Sequence, residues 1–278
     1  MLSVRPNAMS WEGRVSTIIS GMNKQYADSS RLAARARLHQ EFSVGEPWFP
    51  WVMDRLPLQD GDRVLDIGCG PAWFWAASQG HFPAGLHLTL ADQSEGMVKE
   101  AVERCTPLGF ASVTGERADV AALPFADGSF DSVIAMHMLY HVADQPKAVA
   151  ELHRVLRPGG TLAVTNNGAD NLKQLYALTT TLGSAPVDPA SVAFGHQRAQ
   201  SLLEAQFGNA TQEVHPGGLH VTDPEVVFMA LTSYPPGDGA SDEQLDAFRS
   251  AIADAFNAGG GVLDVQKDAG LFLSRKDG

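Results

Sequence analysis

A chain of 278 residues, 44% of them apolar, can bury a substantial core and fits one large domain with an elaborated cap better than two full domains. Its 20 basic residues against 32 acidic ones leave a net charge of -12, which repels polyanions and argues against a nucleic-acid partner. No apolar run is long enough to cross a bilayer, the start MLSVRPNAMS lacks the pattern of a secretory leader, and Cys69 and Cys105 offer no metal-site spacing, so the expectation is a cytoplasmic protein with two free thiols and no membrane partner.

Residues 1 to about 10 have neither periodicity nor bulk. Apolar residues recur at helical spacing from Trp11 to Met22 and from Ser30 to Phe42, with Asp28 or Ser29 available as a cap between the two. Arg31 and Arg35 lie one turn apart on the second helix and share a face, which reads either as a solvated basic surface or as a ligand contact. Trp48, Phe49, Trp51 and Val52 predict an apolar helical segment packed against a sheet edge. Residues 1–58 are therefore expected to form an N-terminal helical cap.

Arg63 to Ile67 predicts the first strand, inside the stretch VLDIGCGPAWF. Its apolar run ends on Asp66, and Gly68 and Gly70, with Cys69 between them, let the backbone turn tightly and pass close to a ligand. Pro71 to Ser78 predicts a helix whose first amides point back at that loop. Leu86 to Ala91 alternates as a strand and ends on Asp92, roughly 20 residues past the glycines, where an acid hydrogen-bonds ribose hydroxyls in nucleotide-binding folds. Gln93 follows, and Ser94 can cap a helix over Glu95 to Arg104. Ser112 to Thr114 reads as a weak third strand, with Asp119 and Val120 just beyond it. Ser132 to Ala135 predicts a fourth strand that opens into His137, Met138, Leu139, Tyr140 and His141. Gln145 to Leu156 predicts a helix stopped by Pro158, Gly159 and Gly160, and Thr161 to Thr165 a fifth strand ending on Asn166 and Asn167.

Strands alternating with helices at these lengths predict an α/β fold with a Rossmann-like doubly wound sheet over residues 59–167, a cofactor-binding core. Ligands of such sheets sit beyond the carboxyl ends of the strands, where Asp66, Asp92, Asp119, His137 and Asn166 fall. After Asn167 the alternation breaks. Helices are expected over Leu172 to Leu182, Ala190 to Phe207, Asp223 to Leu231 and Asp242 to Phe256, with a strand over Thr211 to His215. Val262 to Gln266 and Leu271 to Ser274 flank Lys267, Asp268, Ala269 and Gly270, which reads as a hairpin. Residues 168–210 are expected to be a helical lid insertion, and 211–278 the C-terminal part of the core with its closing hairpin.

The dinucleotide fingerprint GxGxxG would begin at Gly68 and Gly70, but its third glycine falls on Trp73, where close packing of helix on strand leaves no room for an indole. Asp66 would also set a carboxylate near a pyrophosphate. Both features suit a cofactor that is cationic and free of phosphate, to which a nearby carboxylate is attractive.

The motifs VLDIGCGPAW, LADQS, ADVAALPFADGSFDSVIAMHMLYHV and ELHRVLRPGGTLAVT resemble, in order and spacing, those of class I S-adenosylmethionine-dependent methyltransferases, most of all the small-molecule branch that includes the ubiquinone-biosynthesis enzymes. The resemblance covers about residues 60 to 165. It implies a seven-stranded sheet, S-adenosyl-L-methionine as cofactor and a small-molecule acceptor, with an N-terminal helical piece and a late insertion closing over that acceptor. It further implies that Asp66, Gly68, Cys69 and Gly70 face the methionine part, that Asp92 and Gln93 meet the ribose, and that Asp119 and Val120 meet the adenine. His137 would lie near the methionine amine through its backbone carbonyl. Apart from the resemblance, the ligand reading of the second helix has Tyr26 and Arg31 fold over the cofactor and meet its carboxylate. The family often has a third glycine where this chain has Ala72, a small change.

Methyl transfer from a sulfonium is an in-line displacement in which the protein mainly positions the acceptor and, where needed, removes a proton. His141, beside Tyr140 and just beyond strand four, is the favoured base, since imidazole titrates near neutrality; ordering of the loop is the competing role. Asn166, Asn167 and His196 are candidate acceptor contacts. His39, His81, His87, His153, His215 and His220 are assigned to surface or packing, and no carboxylate cluster predicts a metal. Two other function classes stay open: methyl transfer to RNA or protein, and a protein of this fold that binds the cofactor but performs non-methylating, pericyclic-type chemistry.

Overall fold

The computed structural model describes residues 30–233 and 237–278. The helix expected over Trp11 to Met22, and Tyr26, lie outside the described residues. The chain first lays down α1 (Ser30–Phe42), the two-residue β1 (Ser43–Val44) and α2 (Trp48–Met53). An alternation follows: β2 (Arg63–Ile67), α3 (Trp73–Ala77), β3 (His87–Asp92), α4 (Glu95–Cys105), β4 (Ser112–Arg117), β5 (Phe130–Met136), α5 (Gln145–Val155) and β6 (Leu156–Asn167). The last third holds α6 (Lys173–Leu178), α7 (Pro189–Phe194), α8 (His196–Phe207), β7 (Thr211–Val214), β8 (Gly218–Val221), α9 (Pro224–Thr232), α10 (Asp242–Ala258), β9 (Leu263–Gln266) and β10 (Ala269–Arg275).

Seven strands form one sheet in the order β4-β3-β2-β5-β6-β10-β7. The first five run parallel, and β10 enters antiparallel between β6 and β7. The chain winds outward from β2 to β4 and then returns to the other side of β2 with β5, so the winding reverses between β2 and β5. In such sheets that reversal opens the ligand crevice. Side chains alternate across the sheet as the strand pleat requires. Leu65, Val133, Leu162, Val164 and Phe272 pack under α5 and α8, while Val64, Ile134, Ala163 and Leu271 pack under α2 and α3. The segment α2 was expected at a sheet edge. Trp51, Val52 and Met53 instead bury on the face of the central strands, because a run with apolar side chains all round needs cover on more than one side.

A second core forms away from the sheet. Leu38, Leu175, Tyr176, Val227, Phe248 and Ile252 pack around a small antiparallel sheet, β1-β8-β9, which joins α1, α6, α9 and α10 into a cap. Strands β1 and β8 escaped sequence analysis because two and four residues carry too little alternation. The links between the cap sheet and the main fold are short: residues 45–47 lead from β1 to α2, 215–217 from β7 to β8, and 267–268 from β9 to β10.

Three expectations change. The closing hairpin does not exist: β9 pairs with β8 in the cap sheet, whereas β10 pairs with β6 and β7 in the main sheet. The helix over Leu172 to Leu182 tightens after Leu178 into a 3-10 turn, where the hydroxyls of Thr179, Thr180 and Thr181 each donate to the carbonyl three residues back. The helix over Ala190 to Phe207 breaks at Gly195, which is extended at ψ 179° and has no room for a side chain, since a Cβ would stand 2.5 Å from the Ser191 carbonyl oxygen. Of residues 168–210, α6 joins the cap while α7 and α8 pack on the main sheet through Phe194, Ala199, Leu203 and Phe207. No helix among the described residues is long and apolar enough to cross a membrane.

Candidate active site

The loop after β2 sits where the sheet winding reverses. Gly68, Gly70 and Ala72 all adopt left-handed backbone conformations, with φ of 69°, 52° and 56°. At Gly68 nothing larger fits, since a Cβ would meet Met138 Cβ at 2.7 Å, and its amide and that of Cys69 both donate to the Ala91 carbonyl. At Gly70 the opposite holds. Nothing lies within 4 Å of where a Cβ would stand, so its bare backbone lines open space. Ala72 occupies a conformation that glycine adopts freely and alanine does not, which delays the start of α3 from the expected Pro71 to Trp73. The small substitution noted from sequence therefore carries backbone strain. The Arg104 guanidinium donates to the Pro71 carbonyl and pins the far side of the loop to α4.

Two carboxyls flank this loop. Asp92, at the end of β3, accepts the Gly70 amide at 3.1 Å on one oxygen and the Ser94 amide at 2.9 Å on the other. Burial raises its pKa, and the amides of Ser94, Gly70 and Gln93 pull it back down. Ser94 caps α4 as expected, accepting from the Met97 amide. Asp66 is buried at the end of β2, and burial pushes its pKa up to about 7; Asp92 nearby adds to this, while the Trp75 indole N–H, donating at 2.9 Å, opposes it. Trp75 was not singled out in the sequence. Its signal was an indole in the first helix after a carboxylate-tipped strand, since a buried N–H needs an acceptor. Burial first, and then Asp66 and Asp92, hold the Cys69 thiol far above its ordinary pKa, so it is no nucleophile at neutral pH.

Along the same edge of the sheet, Asp119 is buried and accepts the Ala121 amide at 2.9 Å, Val120 beside it is buried, and the Arg117 guanidinium donates to the Gln93 carbonyl at 3.0 Å. His137, one residue beyond β5, is held at a φ of 47° by its amide, which donates to both the carbonyl and the hydroxyl of Thr165. Its ring rests on Trp48, centroids 5.5 Å apart. Tyr140 and His141 follow in a 3-10 turn, their rings edge to face at 4.3 Å, and α7 packs against that turn. The structure thus brings the predicted residues Asp66 to Gly70, Asp92, Gln93, Asp119, Val120, His137, Tyr140 and His141 to the carboxyl edge of one sheet. Arg31 lies in the first turn of α1.

Asn166 and Asn167 end β6 at the same edge, and with His196 they engage neighbouring elements of the fold. Asn166 is fully buried and donates to the Phe194 carbonyl at 3.0 Å, and Asn167 donates to Asp188 at 2.8 Å together with Asn171. His196 packs on Gly270, with Nδ1 3.8 Å from Asp268. These three tie α7 and α8 to β6 and β10. One buried atom on Asn166 (Oδ1) and one on His196 (Nε2) have no hydrogen-bond partner. Among the described residues no group of three or more His, Cys, Asp or Glu is placed to hold a metal ion.

A second set of groups was missed. His39 on α1 and Lys267 between the two sheets lie together, beyond the surface, packing and turn roles expected of them. The Lys267 ammonium donates to the Ser43 hydroxyl at 2.9 Å, and burial lowers its pKa to about 8. Burial, followed by the charge of Lys267, drives His137 down to about 4 and His39 to about 3. His215 is a packing residue, as expected: Nε2 donates to the Glu46 carbonyl at 2.7 Å, Nδ1 accepts from Gly217, and Trp48 and Trp51 pack edge-on against its ring.

Residues 65–164 match the family model described as a methyltransferase domain. Demethylmenaquinone methyltransferase of Listeria monocytogenes is 34% identical over 139 residues, which are 49% of this chain and 58% of that protein. The chain spans about half the length of the curated relatives it matches. Among solved structures, a putative methyltransferase from an antibiotic biosynthesis pathway of Anabaena variabilis superposes with a TM-score of 0.60 at 17% identity, covering 82% of this chain and 96% of the other. The [4+2]-cyclase SpnF gives 0.56 at 19%, covering 95% and 98%. At these identities the likeness is one of fold. The seven-stranded sheet is that of the class I methyltransferases.

Proposed function

With a methyltransferase domain of the class I fold at its centre, we propose that the chain is an enzyme that transfers methyl groups from S-adenosyl-L-methionine to a small-molecule acceptor, in secondary metabolism and in the cytoplasm. The observation that carries this reading is the pairing of open backbone at Gly70 with two carboxyls, Asp66 and Asp92, on either side of it. A pyrophosphate would be repelled there, whereas an ammonium and a sulfonium are attracted. When bound, S-adenosylmethionine supplies a methyl group already activated on a good leaving group.

The chain's own residues hold and orient. Both oxygens of Asp92 take backbone amides and retain lone-pair capacity for a ribose hydroxyl. Asp119 and Val120 flank the adenine, Gln93 borders the ribose, and the backbone of Gly68, Cys69 and Gly70 passes the methionine portion. Asp66 and His137, with Tyr26 and Arg31 from the N-terminal segment, close around the amino-acid end. His141, ordered against Tyr140, takes a proton from the acceptor, and the cap above the sheet edge, including residues 168–182, excludes water.

Two variants test the assignment. Calorimetric titration with S-adenosylhomocysteine is expected to show binding by the wild type, weakened about tenfold or more in Asp92→Asn, the scale of a lost charge-assisted hydrogen bond. A wild-type chain that binds a dinucleotide and not S-adenosylhomocysteine overturns the reading. His141→Ala is expected to keep cofactor affinity and lose about 100-fold or more in turnover, the usual range for a general base; full turnover would remove His141 from the chemistry.

A further inference from the structure

Where cap meets sheet, basic groups converge from three separate elements. Lys267 comes from the link between β9 and β10, His39 from α1, and His137 from the end of β5. Trp48 supplies a wall beside them, lying 5.5 Å from the His137 ring and 5.3 Å from that of His215. Lys267 has one hydrogen-bond partner among the described residues, the neutral hydroxyl of Ser43. The cap-sheet register sets Lys267 just past Gln266, the partner of Gly218, three residues from His215, and, after burial, its charge lowers the pKa of His39, His137 and His215.

No carboxylate among the described residues forms an ion pair with Lys267. The adjacent Asp268 turns the other way, accepting the Asp170 amide at 3.2 Å and lying 3.8 Å from His196. Asp264 pairs with His220 on the outside of the cap sheet. Glu46 is exposed; its carbonyl accepts from His215, and its carboxylate acts on that ring by charge alone, with no ion pair to Lys267. An ammonium partly withdrawn from water, with no ion-pair partner among the described residues, is costly to keep. His137 beside it is held in a left-handed conformation, a strain of the kind that collects at functional positions. Lys267, His39, His137 and Trp48 all remain partly accessible.

We propose that the methyl acceptor is an acid, and that Lys267 receives its anionic oxygen in a subsite formed with His39, His137 and Trp48. The inference rests on the methyltransferase reading above and specifies its substrate class. The Lys267 ammonium donates to the acceptor oxygen in place of Ser43, the two neutral imidazoles offer further hydrogen bonds, and Trp48 covers an apolar or aromatic body. An amine acceptor would meet a like charge and be excluded.

The test uses the full chain at pH 7, with and without saturating S-adenosylhomocysteine, titrated with benzoate, 4-nitrophenolate, benzamide and benzylamine. Tryptophan fluorescence reports binding beside Trp48. At least one anion is expected to bind about tenfold tighter than the neutral amide and the amine, the scale of one partly screened ion pair. Lys267→Gln should erase that preference, Lys267→Arg should retain it, and both should leave S-adenosylhomocysteine affinity within about twofold. Benzoate alone points to a carboxylic acceptor and the phenolate alone to a phenol or enol; either supports the proposal. Equal binding of all probes, no binding by either anion, or a preference that survives in Lys267→Gln overturns it. Failure of the wild type to bind S-adenosylhomocysteine would instead sink the methyltransferase reading, and the titrations without it keep the two failures apart.

Discussion

Asp66 shows how much a single buried group can decide. Its carboxyl is raised from 3.8 to about 7 chiefly by burial, with the Trp75 indole as its hydrogen-bond donor. Below 3.8 folded and unfolded chains both carry the proton; as pH rises toward 7 the unfolded chain ionises first, so this contribution to stability is lost across that window. Urea midpoints of the free protein should therefore fall between those two values, and Asp66→Asn should flatten the fall. A cationic ligand favours the ionised form, so cofactor affinity should rise with pH through about 7, with protons released to the buffer; calorimetry in buffers of different ionisation enthalpy reads this directly. Asp92 and the α4 cap Ser94 were legible in the sequence because their partners lie within a few residues or at a fixed motif spacing. The Trp75 contact to Asp66 and the strain at His137 were not. Both depend on how a strand, a turn and a neighbouring strand close in space.

At the scale of elements, the parallel core was legible because each strand and helix is long enough to show its period. The cap sheet was not, since β1 and β8 run to two and four residues, and β9, expected as a strand, has its partner far along the chain. The false hairpin has the same origin. Two apolar runs flanking Lys267, Asp268, Ala269 and Gly270 satisfy the local pattern of a hairpin, and only their distant partners separate them. The cap depends on α10, whose Phe248 is fully buried 5.8 Å from Phe228. Phe248→Ala should cost about 3–5 kcal/mol, as truncation of a buried aromatic usually does, and a urea titration would measure it. The Arg249 guanidinium stacked on the outer face of Phe228, 3.5 Å from its centroid, cannot replace that packing.

For the whole molecule, charge and location run opposite to one another. The chain is strongly acidic, yet the seam between cap and sheet gathers Lys267, His39 and His137, while two carboxyls crowd the glycine loop a short way along the same edge. A carboxyl-flanked loop thus stands on the same edge as a seam whose ammonium, Lys267, sits among imidazoles that burial keeps neutral. None of this polarity is visible in the overall composition. It arises from the fold, which sorts a minority of basic residues to one line.

That line is also where the three short links of 45–47, 215–217 and 267–268 run. Links of two or three residues reach no further than about 10–14 Å even when fully extended. The cap sheet is therefore fastened to the main sheet along one side, like the bound edge of a book. Along that edge the two sheets have little freedom to separate.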